Sequence, residues 1–307
     1  MLKLHLIDWA YLHWLLWLLY PVIISFLLPA LLVVFLYASA LFLYIYQHRH
    51  RLRDAYSRDF WDGARDTLAV LWDFQGRIWH GYEIIDAEKL PTEGPALLIY
   101  YHGVVPIDMY YLLSRIKIKI NRHIRCVGDK FLFKIPGFRL LMDVVGVFPG
   151  TVPSCVEVLK EGHILSIAPG GVREALFADP TYNIIWGKRV GFAKVALQAQ
   201  VPIIPVFTQN CREALCTLEI GRKYLRQLYE KTRLPLVPIY GYFPVKLRTF
   251  IGDPIPYEEF KDMTPEDLSA KVQTAILDLI NKHQRVPGSI TRALWERICP
   301  SPIITET

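Results

Sequence analysis

Residues 9–47 contain no Asp, Glu, Lys or Arg. A spanning helix needs about 20 apolar residues, so an uncharged run of this length argues for a membrane segment, with a buried core helix as the plain alternative. Cysteine is scarce as well: there are five, Cys126, Cys155, Cys211, Cys216 and Cys299, and no C-x-x-C spacing. That odd set excludes a disulfide framework and a thiolate zinc site, and reads as reduced thiols in a domain facing the cytosol. Other patterns are missing too. Without G-x-S-x-G there is no nucleophile elbow, and without H-E-x-x-H or a P-loop there is no zincin or nucleotide cradle. No metal site is expected. Nothing resembles an RNA-binding or DNA-binding pattern, and no N-x-S/T sequon, internal repeat or low-complexity linker occurs.

What is present fits a membrane-attached chain. Hydrophobic residues make up 52% of the 307 residues and aromatics 13%, which is high for a purely soluble protein. The net charge is +6, and the basic flank "HRHRLR" follows directly on the apolar run, as positive-inside flanks do. Membrane lipid is therefore the expected partner, and nucleic acid is not. Two readings of the apolar run stay open. Pro21 and Pro29 sit near its middle, so it forms either a tight two-helix hairpin or one span over residues 30–47 with the Trp-rich "WAYLHWLLWLLY" in the interface. In both, the bulk of the chain stays on the cytoplasmic side. A cleaved signal peptide is not expected, because the run is far longer than an h-region and lacks a clear small-residue cleavage site.

The expected organisation is an anchor with its basic flank over residues 1–53, an interfacial helical linker over 54–90, a domain over 91–287 and a peripheral tail over 288–307. Within the domain, short β-branched runs alternate with helical patterns. "ALLIYY" (96–101), "HIRCVG" (123–128), "HILSIAP" (163–169), "VPIIPVFTQ" (201–209) and "KLRTFIG" (246–252) read as strands. "VPSCVEVLKEG" and "KRVGFAKVALQAQ" read as helices. The alternation predicts an α/β domain with a mainly parallel sheet flanked by helices. Thr264 and Pro265 mark the start of a further helix, with Leu268, Val272, Ile276, Leu279 and Ile280 on one face.

One stretch carries an ionisable pair in apolar surroundings. In "YHGVVPIDMYYL", His102 follows a strand end and Asp108 opens a helix, with Pro106 keeping the loop between them from being helical. A carboxylate on one imidazole nitrogen would fix the tautomer and leave the other nitrogen free to take a proton from a substrate hydroxyl. A satisfied structural histidine is the plain alternative. Three more stretches stand out. "GDKFLFKIPGFRLLMDVVGVFPG" sets Lys130, Lys134 and Arg139 among apolar residues, suited to a lipid tail with a charged head. "APGGVREAL" follows a strand with consecutive glycines, which allow close backbone approach, and then supplies Arg173 and Glu174. "VPIIPV" reads as architecture.

In order and spacing these four blocks resemble the glycerolipid acyltransferase superfamily, whose pattern is a His-Asp block, a G-x-x-F-x-x-R-like block, an E-G-T-R-like or P-G-G-like block and an apolar V-P-I-x-P-V block. The resemblance covers residues 102–206, with "GDPIPYEEF" similar to a later segment. "HGVVPID" with "APGGVREAL" is most similar to the neutral-lipid branch that includes diacylglycerol acyltransferases and phytyl ester synthases. It implies a membrane-bound O-acyltransferase of the endoplasmic reticulum with its domain cytosolic. His102 would be the general base and Asp108 its partner. Lys130, Phe131, Arg139, Gly170, Gly171, Arg173 and Glu174 would bind substrate, with the Gly170 and Gly171 amides on the oxyanion. No cofactor is implied; acyl-CoA or a phospholipid would be the acyl donor, and diacylglycerol or monoacylglycerol the acceptor.

Two departures bear on this. Five residues separate His102 from Asp108 where the family has four, so the loop must bulge if the pair is to meet. Pro169-Gly170-Gly171 replaces E-G-T-R, which implies a less polar acceptor than glycerol phosphate. A lysophospholipid or glycerol-phosphate acyltransferase, and a catalytically silent membrane lipid-binding protein, are the alternatives. For Arg173 a structural ion pair, and for Arg139 a plain surface charge, stand beside the binding roles.

Overall fold

A computed structural model of the chain describes residues 9–50 and 61–299. Its elements, in chain order, begin with helices α1 (Trp9–His50) and α2 (Asp62–His80), strands β1 (Glu83–Ile85) and β2 (Ala96–Tyr100), and α3 (Ile107–Ile120). Then come β3 (Ile124–Val127), α4 (Phe138–Val145), β4 (Val147–Phe148), α5 (Val152–Lys160), β5 (Ile164–Ile167), α6 (Gly171–Phe177) and α7 (Gly191–Ala199). β6 (Ile203–Gln209), α8 (Cys211–Ala214), β7 (Leu215–Thr217), α9 (Arg222–Thr232), β8 (Ile239–Gly241), β9 (Arg248–Ile251), α10 (Pro265–His283) and α11 (Ile290–Ile298) complete the fold.

Seven strands form one sheet in the order β1-β9-β6-β2-β5-β3-β4, and only the β6–β9 pairing is antiparallel. The expected mainly parallel sheet is therefore present. β2 is buried at every position because helices cover both faces, which is why "ALLIY" reads as an unbroken apolar run instead of alternating. Leu97 and Ile99 face α5, α7 and α10. Ala96, Leu98 and Tyr100 face α3. The start of α10 follows the sequence signal: the Thr264 hydroxyl accepts from the Asp267 amide at 3.1 Å, and Leu268, Val272, Ile276 and Ile280 are buried. Each such aliphatic side chain contributes about 1.5–3 kcal/mol on burial.

The N-terminal reading needs correction. α1 is one continuous helix of 42 residues that passes through both Pro21 and Pro29, so the two-helix hairpin does not form. Neither proline has a turn-forming neighbour; Ser25, between them, bonds back to the Val22 carbonyl at 2.7 Å instead of opening a loop. The single-span alternative starts too late, since Leu16–Tyr46 is long and apolar enough to cross a membrane over 31 residues. At about 1.5 Å per residue that is roughly 46 Å, longer than a hydrocarbon core of about 30 Å. Residues 51–53 of the basic flank lie outside the described residues.

One stripe of α1, Leu32, Leu36, Ala40 and Leu43, is buried against the domain. Phe35 meets Trp72 of α2 with ring centroids 4.6 Å apart, Tyr37 meets Phe138 of α4 at 5.1 Å, and Phe26 meets Tyr240 of β8 at 5.9 Å. The boundaries expected at residues 91 and 287 do not coincide with the packing. β1 already pairs with β9, and α2 buries Leu68, Trp72 and Asp73, the last paired with Arg115 of α3. At the other end, Ala293 of α11 is buried and Arg297 donates to the Ile78 carbonyl at 3.0 Å.

Candidate functional site

The site lies beyond the carboxyl ends of β2, β3 and β5, the crevice where open parallel sheets place their ligands. β2 ends at Tyr100 and the chain turns at His102. The His102 amide donates to Glu174 Oε2 at 3.0 Å, and the ring stacks on Tyr100 with centroids 5.9 Å apart. Its Nδ1 lies 2.5 Å from the Gly103 carbonyl. A carbonyl oxygen only accepts, so Nδ1 carries the proton and Nε2 is left as the bare base. Burial pushes the imidazole down to about 4, partly opposed by that Gly103 contact. His102 is neutral at pH 7, as a general base must be.

Asp108 does not reach it. No hydrogen bond joins the two side chains among the described residues, and the tautomer that sequence reasoning assigned to Asp108 is set by Gly103. The reason is local. The turn before α3 closes on itself, the Ile107 amide donating to the Val105 carbonyl at 2.8 Å, and Asp108 enters the first turn of α3. There burial pushes its carboxyl group up to about 6, partly opposed by the nearby Thr208 hydroxyl and the amides of Asp108 and Met109. Its Oδ1 is buried and has no hydrogen-bond partner among the described residues, so one lone-pair direction of a 3% exposed carboxylate is open.

Glu174 is the hidden member of the site. It has no exposed surface; Oε2 accepts from the His102 amide at 3.0 Å and Oε1 from the Ile185 amide at 3.0 Å. Burial raises it to about 7. The carboxyl group is thus a clamp between two backbone segments, not the substrate contact expected from the motif. Gly170 is needed for this, because a Cβ there would meet the Glu174 side chain at 2.4 Å. Gly171 has φ +50°, a conformation glycine adopts without strain. Its amide donates to the Ala168 carbonyl at 3.1 Å, so it is already engaged and is not free for an oxyanion.

The cations sort differently from the expectation. Lys130 and Arg139 are exposed and make no hydrogen bond or ion pair among the described residues; Lys130 follows the β3 turn, and both stay hydrated because burying an unpaired charge in an apolar cleft is costly. Arg173 turns outward to an ion pair with Glu230 of α9, which is the structural reading of that residue. Arg189, which carries no motif signal, does enter the site: its Nη1 donates to the Gly170 carbonyl at 2.6 Å and the Pro169 carbonyl at 3.1 Å.

His102, Gly171 and Arg189 border a cavity of about 560 Å³, within the range of small-molecule sites. Val104, Met109, Phe131, Leu132, Val172 and Ile239 are among its apolar walls, and His102 and Arg189 face it. Of the second-block residues expected to bind substrate, Phe131 is the one that lines the cavity, and Gly171 is the lining glycine of the third block. No cluster of three or more His, Cys, Asp or Glu able to hold a metal occurs among the described residues. An apolar chamber ending at a neutral histidine suits proton abstraction from an alcohol with a long apolar substituent.

Comparison with known proteins gives the family. The Acyltransferase family model matches residues 82–209. A human protein described as "DGAT1/2-independent enzyme synthesizing storage lipids" is 53% identical over 285 residues, spanning 93% of this chain and 87% of its own. The cattle protein of the same description is 52% identical over 294 residues, spanning 95% and 87%. In fold, the crystal structure of the 1-acyl-sn-glycerophosphate acyltransferase PlsC from Thermotoga maritima matches with a TM-score of 0.50 and 16% identity, over 81% of this chain and 95% of that one. With the domain match, the extended identity and the shared fold in agreement, this chain is an acyltransferase belonging to the glycerolipid acyltransferase superfamily.

Proposed function

We propose that the chain transfers a fatty acyl group to the hydroxyl of a neutral glycerolipid, either a diacylglycerol, which makes triacylglycerol directly, or a monoacylglycerol, which makes the diacylglycerol that a second transfer converts to triacylglycerol. The observation that carries the reading is the pairing of a neutral, Nε2-bare His102 with an apolar cavity whose wall includes Met142 of α4 and Ile239 of β8, two of the elements on which the apolar helix α1 rests. An acceptor dissolved in the bilayer would reach the histidine without crossing water. Arg189 is the one Lys or Arg among the described residues lining the cavity, too little for the phosphate of a glycerol-phosphate acceptor, which favours a neutral one. The storage-lipid description of the relatives supports the same product class.

In this mechanism His102 Nε2 removes the hydroxyl proton and the alkoxide oxygen attacks the acyl carbonyl carbon. The tetrahedral intermediate collapses with loss of the donor's thiolate, if acyl-CoA, or alkoxide, if a phospholipid, and the imidazolium returns its proton to that leaving group. The imidazolium keeps its Nδ1 proton on the Gly103 carbonyl. The open Oδ1 of Asp108 supplies the buried negative charge that stabilises it, and Arg189 offsets charge on the oxyanion. α1 anchors the chain in the endoplasmic reticulum membrane with the domain on the cytosolic side.

The test is reconstitution of the full chain in vesicles with labelled diacylglycerol and either oleoyl-CoA or phosphatidylcholine as donor. Triacylglycerol formation that disappears in His102→Ala is expected. Acylation of lysophospholipid or glycerol phosphate in preference to diacylglycerol would overturn the reading.

A further inference from the structure

α9 is out of keeping with the rest of the fold. Of its residues only Tyr229 is buried; Tyr229 and Leu225 meet Leu176, Phe177 and Val237 of the domain. The apolar arc of the helix runs on past that contact. Tyr224 and Leu228, one turn apart, are 76% and 42% exposed, Ile220 just before the helix is 86% exposed, and Leu234 and Leu236 just after it are 50% and 57% exposed. The other directions of the helix carry Arg222, Lys223, Arg226 and Lys231, and Arg233 follows. Glu230, the one acidic residue of α9, is taken up by Arg173 and Arg233. An exposed apolar stripe flanked by cations, with Glu219 just before Ile220 the one exposed carboxylate beside it outside an ion pair, is the composition of a helix lying in the plane of an anionic bilayer surface.

Its place in the fold points the same way. The chain leaves α9 into β8, whose Tyr240 touches Phe26, inside the apolar stretch Leu16–Tyr46 of α1. Tyr229, Pro235 and Ile239, from α9, the connection and β8, also line the catalytic cavity. One segment therefore joins the wall of the reaction chamber to the helix long enough to cross a membrane.

We propose that residues 220–236 form a second membrane contact, lying in the headgroup layer of an anionic bilayer with Ile220, Tyr224, Leu228, Leu234 and Leu236 in the acyl boundary and the basic residues on lipid phosphates. The contact sets the cavity wall at the bilayer surface, where a neutral lipid acceptor is dissolved. This rests on the membrane placement of α1 proposed above.

The experiment uses the full chain in vesicles of phosphatidylcholine with or without phosphatidylserine, carrying a nitroxide at residue 224 (Tyr224→Cys in a Cys299→Ser background) and, for comparison, at residue 266 on exposed α10 (Glu266→Cys). With phosphatidylserine present, the label at 224 is expected to be relaxed by oxygen and protected from a water-soluble nickel chelate, and the label at 266 to show the reverse. Lys223→Glu combined with Lys231→Glu is expected to lower the inserted fraction about tenfold or more and to abolish any stimulation of triacylglycerol formation by phosphatidylserine, while turnover of a water-dispersed short-chain acceptor is unchanged. A label at 224 as open to the nickel chelate as that at 266, in chains that float with the vesicles, would overturn the second contact and leave α1 as the anchor. Shielding of 224 from both relaxants would mean a protein contact and would also overturn it. Chains that fail to float would overturn the α1 placement as well.

Discussion

The turns that close β2 and β5 sit side by side, since the two strands pair directly, yet they serve opposite purposes. The first presents a reactive group: His102 faces the cavity with Nε2 bare. The second holds it from behind: Glu174 accepts the His102 amide, and Gly170 makes room for that carboxyl group. An ionisable residue in apolar sequence is a direct signal in the first turn and a misleading one in the second, where Arg173 leaves the site for Glu230 and Glu174 goes beneath it. The lesson is that side chains next to a motif glycine are placed by burial and partners, and charge alone does not carry them to the substrate.

That contrast can be broken by substitution. The largest effect is expected from His102→Gln, which removes the base and should lower kcat by about 10³-fold or more. Asp108→Asn should cost about 10²-fold in kcat with KM little changed, because it removes charge felt by the imidazolium and makes no contact with bound substrate. Glu174→Gln should lower kcat about tenfold at constant KM, since its amide NH₂ would confront one of the two backbone donors. The same variant changes stability with pH. Burial holds Glu174 above its ordinary 4.5, at about 7, so its contribution is full below pH 4.5 and is lost as pH rises through 7. Thermal midpoints of the parent should fall relative to Glu174→Gln across that window. Arg173→Gln should be the mildest, less than about threefold in kcat, because it breaks only a partly exposed ion pair. A loss as large as that of Glu174→Gln would show that the outward arginine returns to the site during turnover.

Much of the frame was legible because it follows from patterning. All five expected strands appear as β2, β3, β5, β6 and β9, and Thr264–Pro265 opened α10 as expected. The His102 position was readable because polarity there has no packing reason. Arg189 was not, since its significance comes from the meeting of the segment before α7 with the carbonyls of Pro169 and Gly170. The hairpin expectation failed because proline interrupts a helix less when no turn residues stand beside it to offer the backbone another partner. β1 and α2 were taken as a linker because short edge strands and amphipathic surface helices carry weak signals until β9 and α3 are seen to pack on them.

The charge and tautomer of His102 can be read directly by solid-state NMR of the full chain, labelled with [¹⁵N]histidine, in lipid bilayers, the His102 signals being those lost in His102→Gln. A neutral ring with its proton on Nδ1, persisting well below pH 6.5, is the predicted result. A proton on Nε2, or a ring that becomes doubly protonated at or above pH 6.5, would contradict it.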